Sequence, residues 1–354
     1  MHTKLNFSSD YTRTAHPAIL ARLAETAGMA MPGYGTDPIC QAAKEKIRAA
    51  CECPDAEVFF LSGGTQMNAA VIDSVLRSYQ GVIAAETGHI STHEAGAIEY
   101  GGHKVLTIPG TPEARGKISL AELKRVAETF ANDMNRDHMV MPAMVYISQP
   151  TEYGTLYSLD ELTDISKFCR AHDLTLYVDG ARLAYALASP ANDVTLSDLA
   201  RLTDAFYIGG TKCGAFIGEA LVIAKKNLIP HFFTIMKQHG ALLAKGWLLG
   251  LQFDVLFTDG LYEKVGQTAI AYADEIQKAL RKAGLPLYFE SPTNQLFVVL
   301  NEQQKNYLEK EVDLSFWEEI DETHTVMRIA TSWSTTREEV DRLLEILSLK
   351  CMEK

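Results

Sequence analysis

Two strand-like segments of the chain end on side chains that could act together in catalysis. The run "LTLYV" at residues 174–178 ends on Asp179, and "AFYIGGT" at residues 205–211 leads into Lys212. A charge at the end of a buried strand needs a partner, because burying an unpaired charge is costly. A partly desolvated lysine has a lowered pKa and can form a Schiff base with a carbonyl compound. Asp179 and Lys212 therefore predict a catalytic site at one edge of a sheet.

A glycine turn before one of the predicted helices could hold a phosphate. In "LSGGTQMN" a strand-like run passes into a helix through Ser62, Gly63, Gly64 and Thr65. The first backbone N–H groups of a helix and the helix dipole bind anions. The alternative interpretation is a tight turn in which Thr65 is an ordinary N-cap. The G-x-G-x-x-G pattern of dinucleotide-binding proteins does not occur in the sequence.

Two histidines and a glutamate follow the next strand candidate, in "GHISTHEAGA". His89 could lie flat on the ring of an aromatic cofactor or be a hydrogen-bonded structural histidine, and for His93 the structural interpretation is favoured. The two histidines are four residues apart and could hold zinc together with Glu94. The H-E-x-x-H order of zinc proteases is absent, however, and no third ligand is evident. The sequence therefore predicts no metal site.

These features together fit one cofactor, pyridoxal 5′-phosphate. Its aldehyde needs a lysine, its phosphate a helix N-terminus, and its pyridine nitrogen a carboxylate that keeps the nitrogen protonated. The glycine turn, the histidine, Asp179 and Lys212 occur in that order, each after a strand candidate. The alternative is a surface lysine together with a salt bridge between Asp179 and Arg182. The joint occurrence of the four features favours the cofactor, whose pyridinium would be the partner of Asp179.

Short apolar runs alternate with amphipathic helix patterns between about residues 55 and 225. Most of the runs are continuously apolar, which is typical of strands that are covered on both faces. Two helices begin after Ser119 and Ser158 with a capping box that Glu122 and Glu161 complete. The alternation predicts an α/β fold with a mostly parallel sheet flanked by helices. In such sheets ligands bind beyond the carboxyl ends of the strands, which is where the candidate side chains lie.

The pattern changes after "LQFDVLF" at residues 251–257. Long helical patterns dominate from there, with two later strand candidates, "LFVVLN" and "TVMRIATSW", before a last helix. We therefore expect a smaller α+β domain from about residue 255 onward.

Composition and charge narrow the function further. The chain has 354 residues, a formal net charge of −12 and a pI near 5.3. Nucleic acids and anionic membranes favour basic surfaces, so binding to either is not expected. The N-terminus lacks the apolar segment of a secretory signal, and no window approaches the roughly 18 apolar residues of a membrane span. Six cysteines without paired spacing are typical of reduced thiols in a cytoplasmic protein. We therefore expect a cytoplasmic enzyme that acts on a small-molecule substrate.

Seven segments of the chain, taken in order, resemble the threonine aldolase and β-eliminating lyase family of fold-type-I pyridoxal-phosphate enzymes. They are "FSSDYTRTAHP", "GYGTDP", "SGGTQMN", "GHISTHEAGA", "VDGARL", "GGTKCG" and "VMRIATSW". Each segment alone is a weak signal, but their order along nearly the whole chain is specific. The branch that the chain resembles contains low-specificity L-threonine aldolases and phenylserine aldolases.

The resemblance implies roles for individual residues toward the cofactor. Lys212 would form the Schiff base, Asp179 would pair with the pyridinium, and His89 would stack on the ring, so that these three are the catalytic residues. The remaining cofactor-binding residues would be Gly63, Gly64, Thr65 and Arg182.

The resemblance also implies a substrate pocket and an assembly. The substrate carboxylate would be bound by Ser9, Arg182 and Arg328, because the guanidinium fork matches a carboxylate. Tyr34 would form a wall of the site that a neighbouring subunit contributes, in a homodimer or homotetramer. The chain would divide into an N-terminal segment that contributes to the active site, a large cofactor-binding domain and a small C-terminal domain. Their expected bounds are residues 1–14, 15–254 and 255–354.

The implied reaction is the reversible cleavage of an L-3-hydroxy-α-amino acid, such as threonine or phenylserine, to glycine and an aldehyde. His89, directly or through a water, is expected to take the proton of the β-hydroxyl group. Many family members carry an E-N-T-H-N segment near that hydroxyl, whereas this chain has "SQPTEYGTLYS", with Thr151 or Glu152 at that place. The departure leaves the base, the preferred aldehyde and the stereochemistry at Cβ open. The main alternative is a β-eliminating lyase that releases an oxo acid and ammonia; an aminotransferase and a non-catalytic cofactor binder are further alternatives.

Overall fold

The structure is a computed structural model that describes residues 4–110 and 114–348. The outer ends of the first and last predicted segments, residues 1–3 and 349–354, lie outside the described residues. The strands are β1 Leu5–Asn6, β2 Glu57–Leu61, β3 Gln80–Ala85, β4 Lys104–Ile108, β5 Met141–Ser148, β6 Thr175–Asp179, β7 Ala205–Gly209, β8 Glu219–Ile223, β9 Gln295–Asn301, β10 Val312–Asp313, β11 Ser315–Glu319 and β12 His324–Ala330. The α-helices are α1 Pro17–Glu25, α2 Pro38–Ala50, α3 Gly64–Val75, α4 His89–Thr92, α5 Ala97–Tyr100, α6 Leu120–Asn132, α7 Leu159–Ala171, α8 Leu183–Ala188, α9 Leu196–Leu202, α10 Phe232–Gln238, α11 Trp247–Leu256, α12 Leu261–Lys282, α13 Glu302–Leu308 and α14 Arg337–Ser348. None of the helices in the described ranges is long and apolar enough to cross a membrane.

The central sheet has seven strands in the order β2-β8-β7-β6-β5-β3-β4. All of them run parallel except β8, which pairs antiparallel with both of its neighbours. Every residue of β6, β7 and β8 is buried, because side chains of helices cover both faces of the sheet. The predicted α/β fold with a mostly parallel sheet flanked by helices is confirmed.

The two faces of the sheet pack against different helices, since successive side chains of a strand point to opposite faces. Val178 and Phe206 belong to a large core that includes residues of α2, α7, α8, α9 and α11. Tyr177 and Tyr207, their neighbours in sequence, belong to a second core that includes residues of α3 and α10. The aromatic rings of Tyr177 and Tyr207 therefore lie on the same face as the helix that follows the glycine turn.

The two predicted capping boxes are confirmed at the first residues of α6 and α7. At α7 the Ser158 hydroxyl accepts a hydrogen bond from the Glu161 N–H at 3.2 Å, and the Glu161 carboxylate accepts one from the Ser158 N–H at 2.8 Å. Ser119 and Glu122 exchange the corresponding bonds at α6. These caps satisfy N–H groups that a helix N-terminus otherwise leaves without partners.

The C-terminal region has a sheet and a hydrophobic core of its own. Its antiparallel sheet has the order β11-β12-β9, and residues of α12 and α14 pack in the same core. The N-terminal segment belongs to this region as well, since Phe7 is buried in that core and Leu5 pairs with Val312. The predicted change at residue 255 falls inside α11, and the division into domains stays a prediction.

Two glycines let the central strands end side by side. A Cβ atom at Gly180, just after β6, would lie 2.1 Å from the carbonyl oxygen of Tyr207. A Cβ atom at Gly209, the last residue of β7, would lie 2.2 Å from the carbonyl oxygen of Ala181. Glycine is required at both places, because no side chain fits between the two backbones. The contact brings the residues that follow β6 and β7 to one edge of the sheet.

Gly209→Ala should destabilise the fold, because the new methyl group would overlap the backbone of Ala181, two residues after the end of β6. We expect a loss of about 1–3 kcal/mol in the free energy of unfolding, the usual cost of overpacking a buried site. The matched control is Gly63→Ala, since a Cβ atom at Gly63 meets no other atom within 4 Å and its φ of −177° suits any residue. Denaturant unfolding of the three proteins measures both differences. Equal stability of the wild-type and Gly209→Ala proteins would show that the close approach is not required.

Candidate active site

The carboxyl ends of the central strands enclose a cleft of about 210 Å³. Residues that the sequence placed at separate strand ends meet in it: Gly63, Gly64, Thr65, His89, Asp179, Arg182 and Lys212. An outer cavity of about 530 Å³ adjoins the cleft, and Arg328 lines it together with Arg182 and Lys212. Ser9 and Tyr34 line neither space.

The glycine turn presents the first turn of α3 to the cleft. Gly63 is the N-cap residue of α3, in an extended conformation, and no side chain caps the helix. Thr65 is already helical, so the alternative in which Thr65 is the N-cap does not describe this turn. N–H groups at a helix N-terminus without a side-chain cap are available to an anion such as phosphate. A side chain at Gly64 would crowd the site, because its Cβ would lie 3.0 Å from the Tyr207 hydroxyl.

The Asp179 carboxylate is buried and accepts hydrogen bonds at both oxygens. Oδ1 accepts from the Tyr207 hydroxyl at 2.5 Å and from the Ala181 N–H at 3.0 Å. Oδ2 accepts from the Tyr146 hydroxyl at 2.6 Å and from the Asn68 amide at 3.2 Å. All four donors are neutral, so none of them balances the charge of the carboxylate.

The surroundings nevertheless favour the charged form of Asp179. Burial opposes ionisation, but the positive charge of His89 and the hydrogen bonds from Tyr146 and Tyr207 hold the pKa of Asp179 below its ordinary value. The alternative ion pair with Arg182 is not formed, because Arg182 pairs with Asp10. A buried carboxylate whose charged form is favoured and whose hydrogen-bond donors are all neutral is suited to bind a cationic group that enters the cleft.

Glu94 orients His89 and connects it to the same network. The buried Glu94 carboxylate lies 2.7 Å from His89 Nδ1 and accepts a hydrogen bond from the Asn68 amide at 2.7 Å. The Asn68 side-chain oxygen in turn accepts from the Tyr177 hydroxyl at 3.0 Å. Burial tends to lower the pKa of His89, but the bond with Glu94 and the charge of Asp179 outweigh it, so the pKa is raised. In the sequence Glu94 was considered only as a zinc ligand, and its role as the partner of His89 was missed.

Lys212 lies beyond the end of β7 and lines both the cleft and the outer cavity. Its carbonyl oxygen accepts a hydrogen bond from the Tyr185 hydroxyl at 2.5 Å, which fixes the backbone at this residue. Burial lowers the pKa of the Lys212 amine and the charge of Arg182 lowers it further, while Asp10 and Asp179 act in the opposite direction. A lowered pKa leaves a larger fraction of the amine neutral and nucleophilic.

The two arginines predicted to bind a carboxylate are held by residues of the N-terminal segment. Arg182 donates to both oxygens of the buried Asp10 carboxylate, from Nε at 2.6 Å and from Nη2 at 3.1 Å. Arg328 donates from Nη2 to the Ser8 carbonyl oxygen at 3.0 Å and from Nη1 to the Gln295 side chain at 3.1 Å. The Arg328 Nε is buried and has no hydrogen-bond partner among the described residues. Asp10 was missed in the sequence, where the serine of the same motif was assigned.

Ser9 and Tyr34 are the two predicted site residues that line neither the cleft nor the outer cavity. The Ser9 hydroxyl is buried without a hydrogen-bond partner in the described part of the chain. Tyr34 is 43% exposed and lines a separate cavity of about 100 Å³ with Phe59 and Phe233. The Lys237 ammonium lies 4.9 Å from the centre of the Tyr34 ring. The role of Tyr34 in a neighbouring subunit stays a prediction.

A further buried carboxyl group lines the cleft and was missed in the sequence. Glu219, the first residue of β8, accepts a hydrogen bond from the Gly210 N–H at 2.7 Å. Burial raises the pKa of Glu219 to about 7, although that N–H acts in the opposite direction. Because β8 runs antiparallel, its beginning lies at the edge where the parallel strands end. A search of residues that follow strands cannot find such a group.

Several aromatic side chains form one wall of the outer cavity, among them Tyr153, Phe316 and Trp317. The rings of Tyr153 and Trp317 meet edge to face with their centroids 5.2 Å apart. The Arg328 guanidinium lies 5.7 Å from the centre of the Trp317 ring. These contacts fix the orientation of Arg328 from the side of the small sheet.

Comparison with known proteins gives one family and several relatives. Residues 6–303 match the sequence pattern of the family described as beta-eliminating lyases. The low specificity L-threonine aldolase of Pseudomonas aeruginosa is 32% identical over 313 residues, which cover 85% of this chain and 85% of that protein. The low specificity L-threonine aldolase of a Pseudomonas species is 33% identical over 276 residues, or 76% of each chain.

Solved structures with the same fold include a threonine aldolase and an aminotransferase. The threonine aldolase of Leishmania major superimposes with a TM-score of 0.93 and is 44% identical, covering 97% of this chain and 98% of its own. The aspartate aminotransferase of Thermus thermophilus superimposes with a TM-score of 0.71 at 13% identity, covering 98% of this chain and 91% of its own. The second likeness concerns the fold alone. The expected fold type I is confirmed.

The ion pair of Asp10 with Arg182 should make the fold sensitive to acid. Burial opposes ionisation of Asp10, but the charges of Arg182 and Lys212 lower its pKa from the ordinary 3.8 to about 2. The carboxylate therefore adds stability that is fully present above about pH 4 and is lost as the pH falls toward about 2, a linked free energy of about 2–3 kcal/mol. Asp10→Asn should be less stable than the wild type near neutral pH, and the difference should shrink on acidification. Denaturant unfolding at a series of pH values measures it, and parallel stability curves for the two proteins would contradict the expectation.

Proposed function

This chain belongs to the β-eliminating lyase family, and we propose that it is a pyridoxal-phosphate-dependent aldolase that cleaves L-3-hydroxy-α-amino acids, such as threonine or phenylserine, to glycine and an aldehyde. The predicted family and the predicted class of enzyme, a lyase, are confirmed by the match over residues 6–303 and by the relatives at 32% and 33% identity. The observation that carries the proposal is the meeting of Asp179, Lys212 and the uncapped N-terminus of α3 in one cleft.

The residues of the cleft fit pyridoxal phosphate. Asp179 is a buried carboxylate, held ionised, whose hydrogen-bond donors are all neutral. A protonated pyridine nitrogen would be the direct cationic partner of this carboxylate, the N–H groups at the start of α3 would hold the phosphate, and His89 would lie against the ring. Lys212, with its lowered pKa, would bind the aldehyde. When bound, the cofactor supplies an electron-withdrawing ring that stabilises negative charge at the substrate Cα.

Arg182 and Arg328 would bind the substrate carboxylate. Both line the outer cavity together with Lys212, and each is already oriented, Arg182 by Asp10 and Arg328 by the Ser8 carbonyl. The free Nε of Arg328 is a donor that a carboxylate oxygen could satisfy. Holding the substrate at its amino nitrogen and its carboxylate fixes the direction of the Cα–Cβ bond and so selects the bond that breaks.

A β-eliminating lyase is the second candidate, because the family pattern that matches this chain is described by that activity. The same lysine, aspartate and arginines would serve it, and the leaving group at Cβ would differ. The products separate the two reactions: cleavage of the Cα–Cβ bond gives glycine and an aldehyde, whereas elimination gives an oxo acid and ammonia.

We also propose that the enzyme is a cytoplasmic homodimer or homotetramer, as the family resemblance implies. The exposed Tyr34 and Phe233, which share a cavity away from Lys212, are consistent with a contact between subunits. Size-exclusion chromatography with light scattering measures the number of chains in the assembly.

Lys212→Ala should abolish both covalent attachment of the cofactor and turnover, since it removes the amine that would bind the aldehyde. In the wild-type protein, borohydride reduction followed by peptide mass spectrometry should find the cofactor on Lys212, and L-threonine should yield equal amounts of glycine and acetaldehyde. Lys225→Ala is the matched control, because the Lys225 side chain is exposed and pairs with Asp204 at 3.1 Å, away from the cleft. Both properties should be unchanged in that control.

Two results would overturn parts of the proposal. Full activity of the Lys212→Ala protein would show that Lys212 does not bind the cofactor aldehyde, and the proposed dependence on pyridoxal phosphate would fall with it. Release of an oxo acid and ammonia by the wild-type protein, without glycine, would replace the aldolase with the β-eliminating lyase.

A further inference from the structure

The cleft and the outer cavity meet at four residues that line both: His89, Glu152, Arg182 and Lys212. If the proposed function holds, the amino nitrogen of the substrate lies toward Lys212 and its carboxylate toward Arg182 and Arg328. Cα and Cβ would then lie at the boundary between the two spaces. Three of the four shared residues carry basic side chains, and Glu152 is the one carboxylate among them.

Two hydrogen bonds fix the position of the Glu152 side chain. It lies in the segment after β5, and its Oε1 accepts from the Ser148 hydroxyl at 2.8 Å and from the backbone N–H of His89 at 3.0 Å. No salt bridge to Glu152 occurs in the described part of the chain. Burial raises the pKa of Glu152, because the charged form is poorly solvated there. A carboxylate with a raised pKa is a better proton acceptor than one in water.

The two histidines of the cavity are less suited to accept a proton at this place. His89 Nδ1 is already bound to Glu94 at 2.7 Å, and in the proposed function the face of the imidazole lies against the cofactor ring. His93 stacks on His89 at 5.9 Å between ring centroids but lines only the outer cavity. His93 Nδ1 also lies 2.6 Å from the Thr92 hydroxyl.

We propose that Glu152 is the group that accepts the proton of the substrate β-hydroxyl when the Cα–Cβ bond breaks. The O–H bond breaks and its proton passes to the Glu152 carboxylate, while the O–H bonding electrons form the C=O double bond of the aldehyde. The Cα–Cβ bond breaks, and its electron pair stays with the glycine fragment until a proton is added at Cα. In the reverse reaction the Glu152 carboxyl group returns its proton to the oxygen of the aldehyde. This assignment rests on the proposed function and replaces His89 as the expected base.

Glu152→Gln tests the assignment, because glutamine keeps the size of the side chain and an oxygen for the Ser148 and His89 donors but cannot accept the proton. The holoenzyme should lose cleavage of L-threonine by about 10²–10⁴-fold, the usual contribution of general base catalysis. Exchange of the glycine Cα proton with deuterium from D₂O, followed by NMR, should stay close to the wild-type rate, because glycine has no β-hydroxyl group.

Two further variants serve as comparison. Glu290→Gln removes a carboxylate that pairs with Arg281 on the surface, and it should change neither reaction. His93→Phe keeps an aromatic ring against His89 and tests the neighbouring histidine as the base. Binding of glycine, measured by calorimetry, and retention of the cofactor on Lys212, measured by mass spectrometry, should be equal in the Glu152→Gln and wild-type proteins.

Each contrary outcome has a distinct meaning. Cleavage by Glu152→Gln near the wild-type rate would overturn the assignment, as would a selective loss of cleavage in His93→Phe alone. An equal loss of cleavage and of glycine exchange in Glu152→Gln would show a structural role instead. A wild-type holoenzyme that exchanges glycine but does not cleave 3-hydroxy amino acids would overturn the proposed function, and the assignment of Glu152 with it.

Discussion

The site depends on one buried charge, the carboxylate of Asp179. A buried carboxylate is stable only if donors surround it, and here each side-chain donor comes from a different element: Tyr146 from β5, Tyr207 from β7 and Asn68 from α3. The charge therefore fixes the ends of neighbouring strands and the helix after the glycine turn relative to one another. Because the donors are neutral, the same arrangement leaves the carboxylate able to bind a cation. One set of hydrogen bonds therefore both stabilises the fold and holds the Asp179 carboxylate in position to bind a cation.

The same hydrogen-bond network extends to His89, the residue that would lie against the cofactor ring. Asn68 donates to Asp179 and to Glu94, and Glu94 holds the His89 imidazole. An amide is well suited to this position, because it can donate to two carboxylates without adding a charge of its own. The two carboxylates raise the pKa of His89, because they favour the positively charged form of its imidazole. Lys212 has no hydrogen bond to either carboxylate in the described part of the chain, and its lowered pKa leaves a larger fraction of the amine neutral.

The sequence predicted those parts of the structure that local patterns specify. Continuous apolar runs identified the buried strands, serine and glutamate three residues apart identified two helix starts, and the residues after two strands identified Asp179 and Lys212. Other parts depend on partners that are distant in sequence. Asp10 and Arg182 are 172 residues apart in the sequence, and no local pattern in either segment predicts that they form an ion pair. Glu219 lies at the beginning of the antiparallel strand β8, where a search of strand ends does not look, and the predicted role of Tyr34 concerns a neighbouring subunit, which a single chain does not test.

The N-terminal segment explains how two separate sheets can form one pocket. Arg182 follows the large sheet and Arg328 belongs to β12 of the small sheet, so a carboxylate bound by both needs the two sheets in a fixed relation. The segment supplies that relation: Asp10 binds Arg182, the Ser8 carbonyl binds Arg328, and the Phe7 carbonyl accepts from the Ala330 N–H at 2.8 Å. The backbone hydrogen bond from Ala330 and the Arg328 side-chain bond to Ser8 thus tie the segment to β12 and place Asp10 within reach of Arg182. In the proposed function, the affinity for a substrate carboxylate would therefore be set in part by residues that need not touch it, since they fix the spacing of the two guanidinium groups before the substrate arrives.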